Sequence, residues 1–226
     1  MRREAKRDSK ANTVSSSVTY ETACSSSMTA LHDACQALYS GECNAAVVAG
    51  ANLLFTPTTG RTLLDYRATS PDGICRTFDA NANGYGRGEA VNALLIKRLD
   101  HALQDGDAVR AVIRSTAVNA DGKQAVLGVP RVQTQEELIR SAYAKAHIED
   151  FSQTAFFECH GTGTQKGDKT EVTTIGNVFP NGVMIGAVRG FCHLSSLACT
   201  DTFLRLNRMS DIQRVLLVLL ALSKLC

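Results

Sequence analysis

The sequence predicts an α/β domain. Three observations carry this expectation. From residue 17 to residue 188, short β-prone or apolar runs alternate with stretches of helical spacing. Residues 45–50 (AAVVAG) form a continuous apolar run, the kind that suits a strand buried on both faces of a parallel sheet. Strand, tight turn, helix and strand follow one another within residues 17–50, as in a βαβ unit.

Each element has its own reason. Residues 17–22 are rich in Val, Thr and Tyr and read as a strand. Ala23-Cys24-Ser25-Ser26-Ser27 is a run of small residues suited to a turn. Met28, Leu31, Cys35 and Leu38 then recur at helical spacing, and Gly41 stops that helix. Residues 56–83 contain Pro57, Pro71 and Gly73 and read as loop, with one short helix near Leu63. Residues 90–96 (AVNALLI) and 108–118 read as strands. Residues 134–146 read as a helix, with Thr134 as N-cap and Glu137 completing a capping box. A strand over 154–158 runs into His160-Gly161-Thr162-Gly163-Thr164. Residues 167–175 look helical and 183–188 read as a strand. The expected core sheet is mixed and mostly parallel. After Arg189 the alternation stops, and the apolar run 215–222 reads as a buried helix turn or a stretch without an evolved role.

Composition narrows the function classes. The chain has 226 residues, 44% hydrophobic and 20% charged, which excludes a mostly disordered protein. Its net charge is +2, but residues 1–10 alone carry five basic and two acidic side chains. The body is therefore slightly acidic, which argues against a nucleic-acid surface. The basic start reads as a frayed, solvated end. The longest apolar run is too short to span a bilayer, so no membrane partner is expected. The eight Cys show no C-x-x-C pair and no signal peptide precedes them, so free thiols in a reducing, cytoplasmic setting are expected. Cys159 and His160 are adjacent and would face opposite sides of a strand, so no metal site is expected.

Two residues stand out as chemical candidates. Cys24 lies where a strand turns into a helix, where unpaired N–H groups and a partial positive charge favour a thiolate. The same turn could supply N–H groups to an oxyanion. On local logic, a small buried residue is an equal reading. His160 ends a strand and opens a Gly/Thr-rich loop, at the sheet end where α/β proteins bind ligands. Thr162 and Thr164 add hydroxyls that can bond an amide-bearing ligand. Residues 83–88 (NGYGRG) precede a strand, so they read as structural turn chemistry and not as a phosphate loop. Lys97-Arg98 reads as a solvated strand end. His32, His101 and His147 read as structural, without evident partners.

These residues also resemble a known family. Thr22-Ala23-Cys24-Ser25-Ser26-Ser27, Ala30-Leu31-His32, Gly41-Glu42-Cys43 and Ala49-Gly50-Ala51-Asn52 resemble the nucleophile segment of β-ketoacyl synthases. Cys75-Arg76-Thr77-Phe78-Asp79, with Gly84-Tyr85-Gly86-Arg87-Gly88-Glu89, looks like the next family signature. Asn119-Ala120-Asp121-Gly122, Glu158-Cys159-His160-Gly161-Thr162-Gly163-Thr164 and Gly167-Asp168 with Glu171 resemble the histidine segment. The wording around Glu158 and at Gly176-Asn177-Val178-Phe179 is most similar to the ketosynthase domain of fungal highly reducing iterative polyketide synthases.

The resemblance implies a thiolase-like fold layered α-β-α, present incompletely as the end of the first half and the start of the second. It implies decarboxylative Claisen condensation of acyl and malonyl thioesters. Cys24 would take the acyl group, His160 would act on the malonyl unit, and Thr162 and Thr164 would contact the phosphopantetheine arm. The substrates would ride on an acyl carrier protein. No directly bound cofactor is implied, and a complete enzyme could be a homodimer.

Departures from the family pattern shape the domain expectation. After Gly186-Ala187-Val188, Arg189 replaces a Lys and Leu194 stands where a second His belongs; His193 reads as a chance neighbour. The expected organisation is a basic end over 1–16, a partial ketosynthase over 17–189 and a divergent tail over 190–226, as a reading-frame shift or retained intron would produce. On these grounds the chain is expected to be inactive alone. A non-catalytic remnant that binds a synthase or carrier, and a thiolase-like acyltransferase using Cys24, are the alternatives.

Overall fold

The computed structural model describes residues 3–8, 13–122, 130–188 and 217–223. Within the basic start, residues 3–8 form a strand where a frayed end was expected. Strand β1 (Arg3–Asp8) pairs antiparallel with β2 (Thr13–Val18), from Arg3 opposite Val18 to Asp8 opposite Thr13. The β-prone residues of β2 give the charged stretch a backbone ladder, which its own composition did not suggest. The strand expected over 17–22 therefore ends at Val18.

A single 3₁₀ turn (Ala23–Ser25) leads into helix α1 (Ser26–Ser40). Leu31, Cys35 and Leu38 are buried, as their spacing requires. Gly41 ends the helix at φ +76°, and the Glu42 N–H reaches back to the Ala37 carbonyl at 2.9 Å, the closing bond of a glycine-terminated helix.

Strand β3 (Ala45–Asn52) was expected in a parallel sheet, buried on both faces. It instead pairs antiparallel with β4 (Ala90–Lys97), Val47 opposite Leu95 and Ala49 opposite Ala93. Val48 packs on Leu31 and Cys35 of α1, while Val47, Val91 and Leu95 on the other face are exposed. A continuous apolar run encodes burial but carries no information on strand direction. Between these strands lies α2 (Pro57–Asp65), with Pro57 in its first turn. A short α3 (Leu99–Gln104) follows β4 and carries His101. Lys97 is not simply solvated: it is ion-paired with Asp105 and, at 2.8 Å, with Asp107.

Strand β5 (Ile113–Ala120) shows the layering. The Ser115 hydroxyl donates to the Ala142 carbonyl at 2.6 Å on α4 (Val132–Lys145), and the next residue, Thr116, meets His32 Nδ1 at 2.7 Å on α1. Successive strand residues face opposite sides, so β5 lies between two helices. Thus His32 has a partner after all, and its burial lowers its imidazole pKa. Helix α4 starts two residues before the expected cap. Arg131 is its N-cap and no side chain caps it; the Thr134 carbonyl accepts from Asn119 Nδ2 at 2.8 Å instead.

Strand β6 (Phe157–Glu158) pairs in parallel with β7 (Ile185–Gly186), and α5 (Gln165–Val178) lies between them in the chain. Ile139, Tyr143, Ile148, Phe157, Ile175 and Phe179 form the main core under these elements. The ring of Phe179 sits 5.7–5.9 Å from those of Phe157, Phe151 and Tyr143. The run expected as a helix turn is strand β8 (Leu217–Ser223), parallel to β5. The described strands thus form two antiparallel and two parallel pairs, a less parallel arrangement than expected. No helix among the described residues is long and apolar enough to cross a membrane.

Candidate functional site

The cysteine turn is held by its own hydroxyls. The Ser25 hydroxyl, buried, lies 2.8 Å from the Thr22 carbonyl and 2.9 Å from Thr22 Oγ1. The Ser26 hydroxyl donates to the Ala23 carbonyl at 2.8 Å and accepts from the Thr22 N–H at 2.9 Å. Ala23 sits at φ +55°, a left-handed conformation that costs about 1 kcal/mol or more for a residue with a Cβ. These bonds maintain the sharp turn and leave Cys24 exposed at the head of α1. Gly50 of β3 backs the turn: a Cβ there would lie 3.2 Å from Ser27 Cβ. Tyr20 Oη donates to Asp33 Oδ2 at 2.5 Å and ties the incoming chain to α1. Two other described thiols differ. Cys35 and Cys159 are buried, and burial pushes both thiols up, Cys159 further because Glu171 and Glu158 lie near.

The histidine loop is held from outside itself. At its entry the Cys159 N–H bonds the Gly186 carbonyl at 2.7 Å, and Glu158 accepts the Val188 N–H at 2.7 Å. Burial raises the Glu158 pKa. The Glu171 carboxylate, on α5, accepts the N–H groups of His160 at 2.5 Å and Gly161 at 2.9 Å. Asp168, also on α5, accepts those of Gly163 at 3.1 Å and Phe78 at 2.8 Å. Asp168 and Glu171 are only 5% and 6% exposed, so their charges are satisfied by backbone N–H groups in place of water. Thr162 Oγ1 and Thr164 Oγ1 are 2.8 Å apart.

A loop over residues 75–86 buttresses this turn. Thr77 Oγ1 donates to the Gly161 carbonyl at 2.7 Å, and the Gly84 N–H donates to the Gly163 carbonyl at 2.8 Å. Gly161 (φ +54°) and Gly163 (φ +65°) need left-handed backbone, and neither has room for a side chain. A Cβ on Gly161 would lie 2.2 Å from Ala187 Cβ and 2.7 Å from Thr77 Cγ2; one on Gly163 would lie 2.8 Å from the Gly84 carbonyl. The NGYGRG stretch is thus structural, as its position before a strand suggested, and it supports the candidate site.

Cys24 and His160 therefore head two separate strand-to-helix turns. Thr162 and Thr164 are brought together beside His160, and three of the quoted motifs meet there. Sequence reasoning gave no separate role to Asp168, Glu171 and Thr77. A signal existed for the first two: they lie three apart, on one face of the helix that follows the histidine. Arg189 and His193 lie outside the described residues. Among the described residues, no group of His, Cys, Asp or Glu side chains is placed to hold a metal ion.

Comparison with known proteins bears on this arrangement. Residues 10–102 match the family described as Beta-ketoacyl synthase, N-terminal domain, and residues 110–198 match its C-terminal domain. The chain is 51% identical over 174 residues to the highly reducing polyketide synthase pspA of Penicillium soppii, covering 76% of this chain and 7% of that protein. It is 54% identical over 173 residues to the highly reducing polyketide synthase VdtX of Byssochlamys spectabilis, covering 76% and 8%. Among solved structures, the ketosynthase from module 6 of the Bacillus subtilis bacillaene synthase is 36% identical with a TM-score of 0.72, over 76% of this chain and 32% of that one. The oxazolomycin ketosynthase domain of Streptomyces albus is 33% identical with a TM-score of 0.74, over 89% and 38%. The chain thus spans a small part of the curated relatives and about a third of the solved ketosynthases. It has the thiolase-like fold of those ketosynthases, is similar to the corresponding region of fungal highly reducing polyketide synthases, and belongs to the β-ketoacyl synthase family.

Proposed function

We propose that the chain is part of a β-ketoacyl synthase of polyketide biosynthesis, with Cys24 as acyl acceptor and His160 acting on the malonyl unit. The observation that carries this is the exposure of Cys24 on a stapled turn at the head of a 15-residue helix. In the proposed reaction the Cys24 thiolate attacks an acyl thioester carbonyl. The carrier thiolate leaves and takes a proton. A malonyl thioester then loses CO₂, and the electron pair of the broken C–C bond becomes an enolate facing His160. That carbon attacks the acyl group on Cys24, a C–C bond forms, and the C–S bond breaks to regenerate the thiolate. Thr162 and Thr164 are the hydroxyls offered to the phosphopantetheine arm of an acyl carrier protein. We assign the ketosynthase portion to residues 17–189, inside the 10–198 that the family matches reach, flanked by 1–16 and a tail over 190–226 that diverges past the match. We place the protein in the cytoplasm, acting without a bound metal or redox cofactor and, as a complete enzyme, as a homodimer.

The isolated chain is proposed to be inactive in condensation. Arg189 stands where the family places a Lys, and its planar fork cannot serve as an ammonium would. Leu194 stands where the family places a second His, and each positioned acid–base group contributes about 10²–10⁴-fold. Self-acylation needs only the thiolate and an oxyanion site, so it survives. The test is mass spectrometry after incubation with an acyl N-acetylcysteamine thioester, then with a malonyl thioester. One acyl group should appear on Cys24, none on Cys24→Ala, and no β-ketoacyl product should form. No acylation would overturn the nucleophile and leave a binding remnant. Product that vanishes in both Cys24→Ala and His160→Ala would overturn the proposed inactivity.

A further inference from the structure

We propose that Thr77 is a positioning residue for His160, acting through the Gly161 carbonyl; its functional importance rests on the reading of His160 given above. Thr77 belongs to the loop that precedes β4, far in sequence from the histidine, yet its hydroxyl donates to the Gly161 carbonyl at 2.7 Å. That carbonyl belongs to the residue directly after His160, and the residue is left-handed at φ +54°. The peptide N–H groups of His160 and Gly161 are held on the opposite side by Glu171. Thr77 and Glu171 therefore grip the same turn by its carbonyl and by its two amides, and together they set the direction in which His160 leaves the chain. The next residue, Phe78, strengthens the grip. It is itself left-handed at φ +60° and gives its N–H to Asp168 at 2.8 Å, which joins the Thr77 loop to the same helix that carries Glu171. Removing the hydroxyl while keeping the shape leaves the Gly161 carbonyl only the longer contact from Cys75 Sγ, at 3.6 Å, and lets the imidazole reorient.

The experiment uses the full chain and two measurements that need no turnover. The first is the NMR titration of the His160 Cε1–H, assigned by its absence in a His160→Ala variant. The second is hydrogen exchange at the His160 and Gly161 amides. Thr77→Val should shift the His160 titration and speed exchange at both amides by about tenfold, the scale of one lost hydrogen bond. Thr77→Ser, which keeps the hydroxyl, should restore both to wild-type values. Thr77→Ala gives the same loss as valine and replaces it if valine does not fold beside Gly161. An unchanged His160 titration and unchanged exchange in the folded loss variants would overturn the proposal, as would a serine variant that behaves like valine. These readings do not depend on Cys24 acylation, so failure of the proposed reaction and failure of this positioning role are told apart.

Discussion

The cysteine turn and the histidine loop reach the same kind of end, a candidate side chain presented at a strand-to-helix junction, by opposite means. The first is held by hydroxyls of Thr22, Ser25 and Ser26, all within five residues. The second is held by Glu171 and Asp168 on the following helix and by Thr77 and Gly84 from a distant loop. A turn with local bonds can form early and stand alone. A turn with remote bonds exists only when the surrounding fold is complete. Damage to the fold should therefore disable the histidine before the cysteine.

The largest expected break in this comparison is Gly161→Ala. Its Cβ would overlap Ala187 and Thr77 on left-handed backbone, and the cost is about 3 kcal/mol or more. By contrast, Gly41→Ala at the far end of α1 meets nothing within 4 Å and should cost about 1 kcal/mol for its φ of +76° alone. Urea unfolding of the two variants measures the difference. Next is Glu171→Gln, which cannot accept both amides and should cost about 2 kcal/mol, against about 1 kcal/mol for Ser25→Ala in the cysteine turn. Equal losses for Glu171→Gln and Ser25→Ala would erase the distinction between remote and local support.

The smallest effect is on pH dependence. Burial raises the Glu158 pKa, so the folded state holds that proton more tightly than the unfolded chain does. The contribution of Glu158 to stability is present below its unfolded pKa and is lost as pH rises through the folded value. Glu158→Gln, whose carbonyl can still accept from Val188, should raise the melting temperature slightly at pH 7 and leave it unchanged at pH 4. A shift of equal size at both pH values would show that Glu158 titrates no differently on folding.

The same division explains what could be read in the sequence. Helix α1 was legible because its apolar spacing and its terminating glycine are local features, as was the small-residue run around Cys24. The tight turn after His160 was legible from its glycines. The direction of β3 was not, since AAVVAG would suit either orientation, and only its pairing with β4 decides. The start of α4 was misplaced because the helix begins at Val132 behind Arg131, with no side-chain cap to mark the boundary in the sequence. The support of Thr77 for Gly161 spans 84 positions, and no local pattern announces it.

The close packing of Gly161 has a further consequence for how this sequence can change. Positions 77, 161 and 187 occupy one shared volume: the missing side chain of Gly161 is the space that Thr77 Cγ2 and Ala187 Cβ already fill. None of the three can grow independently. A bulkier residue at 187 becomes admissible only with a smaller one at 77, and position 161 stays fixed by its backbone whatever the other two do. Among related chains, residues 77 and 187 should therefore vary as a compensating pair around an unvarying glycine, although they lie 110 positions apart.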